Sequence, residues 1–240
     1  MKRPVPRSSA LAAGLLAVAL STGCATGPNA DPRDPLEPFN RSVYSFNEGL
    51  DRAVFKPVAE VYNEVLPSPV RTGVRNFFNN LADAWTGVNA LLQGRGQAAA
   101  ESLFRVQLNT LFGIGGLIDI ASDADIPRHR EDFGKTLGHW GVPSGPYLVL
   151  PVLGPSTVRE TAALPVDLWG NPVSHVNDRG VRYGMYGLGL IHTRAQLLRV
   201  GNVLEEAALD KYSFTRDAYL QLRGATDYDG NIDDPSAPEQ

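Results

Sequence analysis

The sequence predicts an all-α fold interrupted by one irregular Gly/Pro-rich segment, and three observations carry that reading. Apolar residues recur at steps of three and four in successive stretches from Phe39 onward, the period of one helical face. Helix-start signals stand at the heads of several of these stretches. Between Asp125 and Pro155, by contrast, five glycines and five prolines crowd together, a density at which no regular helix is expected. With 240 residues, 43% of them hydrophobic, the chain is long enough for one ordinary domain or two small ones.

The first residues read as an export signal, because Lys2, Arg3 and Arg7 precede an uncharged apolar run from Ala10 to Leu20. That run is too short for a membrane-spanning helix, which needs about 20 apolar residues, and no later stretch reaches that length. The signal ends in Leu20-Ser21-Thr22-Gly23-Cys24, small residues leading into the only cysteine, which resembles a bacterial lipobox. Ser21 departs from the large apolar residue usual at that place, with Leu20 one position further out. A lone exported cysteine has no disulfide partner, so acylation of Cys24 is expected rather than a free thiol. Each buried CH₂ of an acyl chain contributes about 0.8 kcal/mol, and a multi-chain anchor holds a protein stably at a membrane. Ala25, in place of an inner-membrane-retaining aspartate, points to the outer membrane. The expected divisions are a signal peptide over 1–23, an acylated cysteine and tether over 24–33, a folded domain over 34–223, and a disordered acidic tail over 224–240 with five acidic residues and no basic one.

Removal of the signal leaves 19 Lys+Arg against 26 Asp+Glu, a net charge of −7. That balance argues against nucleic acid as a partner. No basic cluster in the sequence suggests attraction to anionic lipid, so membrane engagement falls to apolar surface and the anchor.

The elements follow in order. Asp34-Pro35-Leu36-Glu37 offers an N-cap, a first-turn proline and an N3 carboxylate, and behind it Phe39, Val43, Phe46, Leu50 and Val54 form one stripe. Pro57 interrupts or restarts the helix, which continues through Val58, Val61, Tyr62 and Val65 to the break at Pro67-Ser68-Pro69. A third helix begins near Pro69 and carries Val70, Val74, Phe77 and Phe78, with a break expected around Asn79-Asn80 before Leu81, Trp85, Val88, Leu91 and Leu92. After the turn Gly94-Arg95-Gly96, the Ala-, Leu- and Phe-rich stretch from Gln97 to Phe112 reads as the most buried helix. It stops at Gly113-Ile114-Gly115-Gly116, where positive φ or close approach is possible. Leu117 to Ala121 is a helical turn or a strand. Tyr147 to Leu153 is an apolar strip inside the irregular segment, either a packed loop or a mobile functional element. Thr157 and Glu160 have capping-box spacing, Asn177-Asp178 caps a helix with Val181, Met185, Leu188 and Ile191, a further helical pattern runs through Leu197, Leu198, Leu204 and Ala208, and Tyr212 to Leu222 is a last short helix.

Catalytic and cofactor motifs are missing. There is no Gly-x-Ser-x-Gly elbow, Ser144 being one residue too far from Gly141. His129, His139, His175 and His192 are scattered, so a zinc site is not expected. Gly113-x-Gly115-Gly116 lacks the last glycine of a dinucleotide fingerprint. Asp119, Asp123 and Asp125 lack the glycine and closing glutamate of a calcium loop and read as helix caps. Adjacent acids such as Glu131-Asp132 and Glu205-Glu206 point in different directions on a helix and are expected on a solvated surface. No cofactor and no enzymatic reaction are expected.

Several segments together resemble the MlaA/VacJ family of outer-membrane lipoproteins: Asp34-Pro-Leu-Glu-Pro-Phe-Asn-Arg-Ser-Val-Tyr-Ser-Phe-Asn47 with Leu50-Asp51, Asn109-Thr-Leu-Phe-Gly-Ile-Gly-Gly-Leu-Ile-Asp119, Asp132-Phe-Gly-Lys-Thr-Leu-Gly-His-Trp-Gly141, Gly145-Pro-Tyr-Leu-Val-Leu-Pro151 through Gly154-Pro155, and Thr193-Arg-Ala-Gln-Leu-Leu198. Glu160-Thr161-Ala162-Ala163 departs from the family's usual acidic pair or glycine turn. The resemblance implies a flattened ring of amphipathic helices around a central hydrophilic channel, lying in the inner leaflet of the outer membrane on its periplasmic side. It implies extraction of mislocalised phospholipid from the outer leaflet, transfer to a soluble periplasmic phospholipid carrier, and association with trimeric porins. It also implies that Phe39, Asn40, Phe46 and Asn47 shape the channel, that Gly113, Gly115 and Gly116 allow close packing, and that the 134–154 segment, with Gly141, Tyr147, Leu148 and Leu150, is a movable gate. The alternatives are a porin-associated scaffold lipoprotein and, behind it, a lipid hydrolase with an atypical site.

Overall fold

The computed structural model describes residues 31–207 and 209–228, with the side chains of 199–207 and 225–228 excepted. Cys24, the signal and most of the tether lie outside the described residues, as do Ala208, the side chains of Leu204, Glu205 and Glu206, and residues 229–240.

The fold is all-helical apart from one hairpin. Helix α1 spans Glu37–Leu50, two residues later than the start signals suggest. Asp34 does not cap it: the carboxylate is fully buried and accepts from Asn40 Nδ2 at 2.8 Å and from the Tyr212 hydroxyl. A π-helical stretch, Asp51–Phe55, passes directly into α2, Lys56–Val65. The Lys56 N–H reaches back five residues to the Asp51 carbonyl, and Pro57, which has no N–H to give, sits in the first turn. The proline thus restarts the helix rather than ending it.

Helix α3, Ser68–Leu92, runs unbroken through Asn79-Asn80, against expectation. The asparagines do not need a break because Asn80 is buried with a partner of its own, donating from Nδ2 to Thr110 Oγ1 at 3.0 Å. A short turn leads to α4, Gly96–Leu111, and Asp119 then caps the brief α5, Ile120–Asp123, accepting from the Ser122 N–H at 3.3 Å.

The 125–155 segment is more regular than its composition predicts. It holds α6, Phe133–His139, capped by Asp132, which accepts from the Lys135 N–H at 2.8 Å. It also holds β1, Tyr147–Leu150, paired antiparallel with β2, Gly154–Thr157, in the register Tyr147↔Thr157 to Leu150↔Gly154. Pro155 is tolerated in a strand because its partner Val149 turns its own N–H the other way, to Asn40 Oδ1 at 2.9 Å. Thr157 then caps α7, Val158–Gly170, accepting from the Glu160 N–H at 3.4 Å. A 3₁₀ turn, Pro172–His175, precedes α8, Arg179–Ala207, one continuous helix where two patterns were read. Asp178 accepts from the Val181 N–H at its head. Helix α9, Lys211–Tyr228, extends past Gly224, where the tail was expected to begin.

Small residues hold the helices together. Ala59 and Ala195 bring α2 against α8 beside Tyr62, Ala90 meets Ala98 and Ala99 at the α3–α4 bend, and Tyr147 and Val149 of β1 pack on Tyr212 of α9. Among the described residues 17 polar side chains are buried against 12 hydrophobic ones, and no Leu, Ile, Met, Phe or Trp is among the latter. In a water-soluble fold those are the residues most often inside. Here α4, expected to be the most buried helix, buries Ala98, Ala99, Ser102, Arg105 and Asn109, while Leu103, Phe104, Leu111 and the adjoining Phe112 are exposed. Helix α1 is turned the same way: Phe39 and Phe46 of the stripe face out, as does Val54 in the π-helical stretch beyond it, and the residue α1 buries is Asn40. No helix among the described residues is long and apolar enough to cross a membrane.

Candidate functional site

Two asparagines seven residues apart on α1 tie that helix to the hairpin. Asn40 is completely buried; its Nδ2 donates to Asp34 and, at 3.1 Å, to the Tyr147 carbonyl, and its Oδ1 accepts from the Val149 N–H. Asn47 repeats the arrangement one stretch along, donating to the Leu150 carbonyl at 2.9 Å and accepting from the Val152 N–H at 2.8 Å. With the Tyr147 N–H bonded to the Arg33 carbonyl, the edge of β1 that β2 leaves open is paired by side chains and loop instead of a third strand. The structure therefore brings Asn40, Asn47, Tyr147 and Leu150 together, with Leu148 between them in the strand. Phe39 and Phe46 flank this contact on the outer side of α1, 49% and 58% exposed.

The glycine turn forms a second cluster. A methyl group on Gly113 would sit 2.2 Å from the Ile118 carbonyl oxygen and 2.5 Å from that of Asn109, and one on Gly116 would sit 2.6 Å from Asn80 Nδ2, so backbone and α3 approach where only hydrogen fits. Gly115 and Gly141 have positive φ in open space. Beneath the turn Arg105, 1% exposed, is held by Asp119 at 2.8 Å and Asp83 at 3.3 Å and donates to the Ile126 carbonyl. Arg128 bridges the same two carboxylates at 3.1 and 3.3 Å. Burial opposes ionisation of both acids. At Asp119 the hydrogen bonds from Ser122 and Asn109 and the two guanidinium groups prevail and lower the pKa, whereas at Asp83 burial prevails and raises it.

Three cavities share walls in series along α3. One of about 620 Å³ is faced by Asp83, Thr86, Arg128 and Glu131; it shares Phe78, Asn79, Arg130, Asn171 and Val173 with a second of about 580 Å³. The second shares Arg75, His192 and Gln196 with a third of about 440 Å³ that reaches Ser68. From Ser68 to Thr86 one face of α3 thus lines hollow space over about 27 Å at the helical rise of 1.5 Å per residue. Glu131 and Asp132 are not solvated surface acids: Glu131 pairs with Arg95 at 2.7 Å and accepts from Gln93, and Asp132 pairs with Arg223 at 2.7 Å. Glu160, where the sequence leaves the family pattern, takes Arg223 and the Tyr219 hydroxyl on its carboxylate, which ties α7 to α9.

A family model described as MlaA lipoprotein matches residues 32–226. The chain belongs to the MlaA lipoprotein family. Among its relatives is the intermembrane phospholipid transport system lipoprotein MlaA of Escherichia coli strain K12, 39% identical over 221 residues, 90% of this chain and 86% of that protein. The protein of the same name from Haemophilus influenzae is 35% identical over 227 residues, 88% and 87% of the two chains. A solved structure reported as "Structural basis for maintenance of bacterial outer membrane lipid asymmetry" superimposes with a TM-score of 0.71 at 37% identity, covering 82% of this chain and 99% of that one. In this MlaA-family chain the reading of isolated motifs missed the inner face of α3: Asn76, Asn80, Asp83, Thr86 and Asn89 recur at three and four residues as strictly as the apolar stripe does. The periodicity of the polar residues was the available signal.

Proposed function

We propose that this protein is an outer-membrane lipoprotein, acylated at Cys24 and lying on the periplasmic side, that removes mislocalised phospholipid from the outer leaflet and so maintains lipid asymmetry. The observation that supports this best is the reversal of side chains: exposed Phe104, Leu111, Phe112 and Ile114 against buried Asn76, Asn80, Asp83, Arg105 and Asn109. Apolar groups turned outward suit acyl tails, and polar groups turned inward shelter a headgroup, whose transfer into hydrocarbon without hydrogen bonds would cost about 4–8 kcal/mol per group. The cavities along α3 are then parts of one hydrophilic passage in a ring of helices, and the lipid leaves it to a soluble periplasmic carrier. Small residues at α2–α8 and α3–α4 contacts fit helices that associate in lipid, where apolar burial gives no driving force. Asn40 and Asn47 hold the 134–154 segment at the side of α1, and that segment is the gate; Phe39 and Phe46 anchor α1 against acyl chains. Trimeric porins are the neighbours expected at the apolar rim. The reaction needs no bond chemistry, so the protein acts as a transporter and not an enzyme.

Deleting the gene is expected to raise outer-leaflet phospholipid, and the wild-type gene but not Cys24→Ala is expected to restore it. Unchanged outer-leaflet lipid with defective porin assembly would replace this reading with a scaffold. Fatty acid released by purified protein would replace it with a hydrolase.

A further inference from the structure

Several arginines of the interior are paired with carboxylates, Arg105 and Arg128 with Asp83 and Asp119, and Arg223 with Asp132. Arg71 and Arg75 form no ion pair among the described residues, although the chain is acidic overall. They stand one turn apart on α3 and both line the 440 Å³ cavity, where Tyr62 and Asn63 of α2 and His192 and Gln196 of α8 form the other walls. No Asp or Glu lines this cavity among the described residues. Arg71 Nη1 donates to Asn63 Oδ1 at 2.6 Å, a neutral acceptor that orients the guanidinium without cancelling its charge. The buried His192 is fixed by the Tyr62 hydroxyl, 2.9 Å from Nδ1, and by Gln196. Burial and the two arginines together hold its pKa below the ordinary histidine value. Two cations thus stand beside His192, with hydroxyl and amide groups around them and no Asp or Glu on the cavity wall among the described residues.

We propose that this cavity binds a phosphate ester or phosphate anion, with Arg71 and Arg75 on its oxygens and the hydroxyl and amide groups of Tyr62, Asn63 and Gln196 around it. Planar guanidinium forks suit phosphate, which they meet through paired charge-assisted hydrogen bonds. The uncapped first turn of α3, which carries no acidic residue, adds to the positive potential. A lipid headgroup is the source if the transport reading holds, and the site then lies on the route because it shares walls with the next cavity along α3. No run of basic residues announces the site, since its two arginines are four residues apart on α3 and its other walls come from α2 and α8, more than 100 residues apart in the chain.

The test uses the full-length lipoprotein in a nonionic, phosphate-free detergent, with histidine resonances followed by NMR and His192 assigned through His192→Gln. Inorganic phosphate, dihexanoyl phosphatidylglycerol and phosphate-free dihexanoylglycerol are the three probes. The expected result is a saturable His192 shift with a phosphate-bearing probe, an upward move of the His192 pKa as the anion offsets the two arginines, and no response to dihexanoylglycerol. Arg75→Ala is expected to weaken binding about tenfold and Arg75→Lys less, while Arg182→Ala leaves it unchanged; Arg75 is exposed, so its variants keep the fold. Binding of the lipid assigns the site to a headgroup, and binding of inorganic phosphate alone assigns it to free phosphate. No saturable response to either, or undiminished binding by Arg75→Glu, overturns the site. Binding with no effect of gene deletion on outer-leaflet lipid would overturn the transport reading and leave the site standing.

Discussion

Asn40 has both of its amide protons and its oxygen engaged, and every partner is buried or part of the hairpin backbone. Replacing it by Ala would strand the Tyr147 carbonyl and the Val149 N–H and leave the Asp34 carboxylate to Tyr212 and Arg216 alone. Unpaired buried groups cost about 1–3 kcal/mol, so Asn40→Ala is expected to lose about 3 kcal/mol in denaturant unfolding. Asn47→Ala, at a partly exposed contact, is expected to lose about half as much. Tyr147 tests the opposite case. Its ring is buried between Tyr212 and Tyr219, but its hydroxyl has no hydrogen-bond partner among the described residues, and burial with the nearby Asp34 charge raises its pKa. Tyr147→Phe is therefore expected to keep or gain about 1 kcal/mol and to leave lipid transport intact. A loss of transport in a stable Tyr147→Phe protein would mean that the hydroxyl acts on lipid. The sequence singled out Asn40 and Tyr147 but could not tell that one is a clamp and the other packing, because that distinction depends on partners about 110 residues away.

Among the elements, helices were legible wherever one period and one cap agreed, as at Thr157 and Asp178. The misreadings share a cause: side chains that usually break or leave a helix were satisfied across space. Asn80 stays helical on Thr110, the start signal at Asp34 is diverted to Asn40 and Tyr212, and the hairpin edge is closed by α1. The glycine turn separates crowding from backbone strain. Gly113→Ala is expected to cost about 3 kcal/mol or more, because its methyl group would meet two backbone carbonyls that cannot yield. Gly115→Ala, with φ of +66° in open space, is expected to cost about 1 kcal/mol. Equal losses would show that the turn relaxes as a unit. The α6–α9 tie gives a pH test. Burial works to raise the Asp132 pKa, but its hydrogen bond and charge contact with Arg223 prevail and lower it. A carboxylate lowered in the folded state contributes its stability fully above the unfolded pKa, about 3.9, and loses it as pH falls through the folded value. The stability advantage of wild type over Asp132→Asn is expected to be flat from pH 7 to about 5 and to close below about pH 4.

For the whole molecule the decisive fact is which surface meets which solvent. A helical period reads the same whether its apolar face turns inward to a core or outward to lipid, so the sequence pattern could place the stripes of α1 and α4 without giving their direction. The direction follows from what else must be buried. Asp83 pairs with Arg105, Asn109 donates to Asp119, Asn80 to Thr110 and Asn76 to the Leu117 carbonyl, and once these groups occupy the inside, Phe104, Leu111 and Phe112 have only the outside left. This ordering makes a prediction that separates the protein from a soluble fold with a few stray apolar residues. Substituting Asp for exposed Leu111 or Phe112, 74% and 68% accessible, breaks no internal contact of consequence, and exposed positions of that kind usually change stability by no more than about 0.5 kcal/mol. Binding of the unacylated protein to vesicles should behave differently, because each large side chain withdrawn from acyl tails forfeits about 1.5–3 kcal/mol. Leu111→Asp and Phe112→Asp are each expected to weaken vesicle partitioning at least tenfold while thermal unfolding in detergent stays close to wild type. Asp83→Leu, on the inner face, is expected to do the reverse, leaving partitioning unchanged and unfolding the chain early, since it leaves Asp119 as the one carboxylate for both Arg105 and Arg128. If both faces responded alike in the two assays, inside and outside would not be divided between headgroup and hydrocarbon, and the passage proposed along α3 would lose its physical reason.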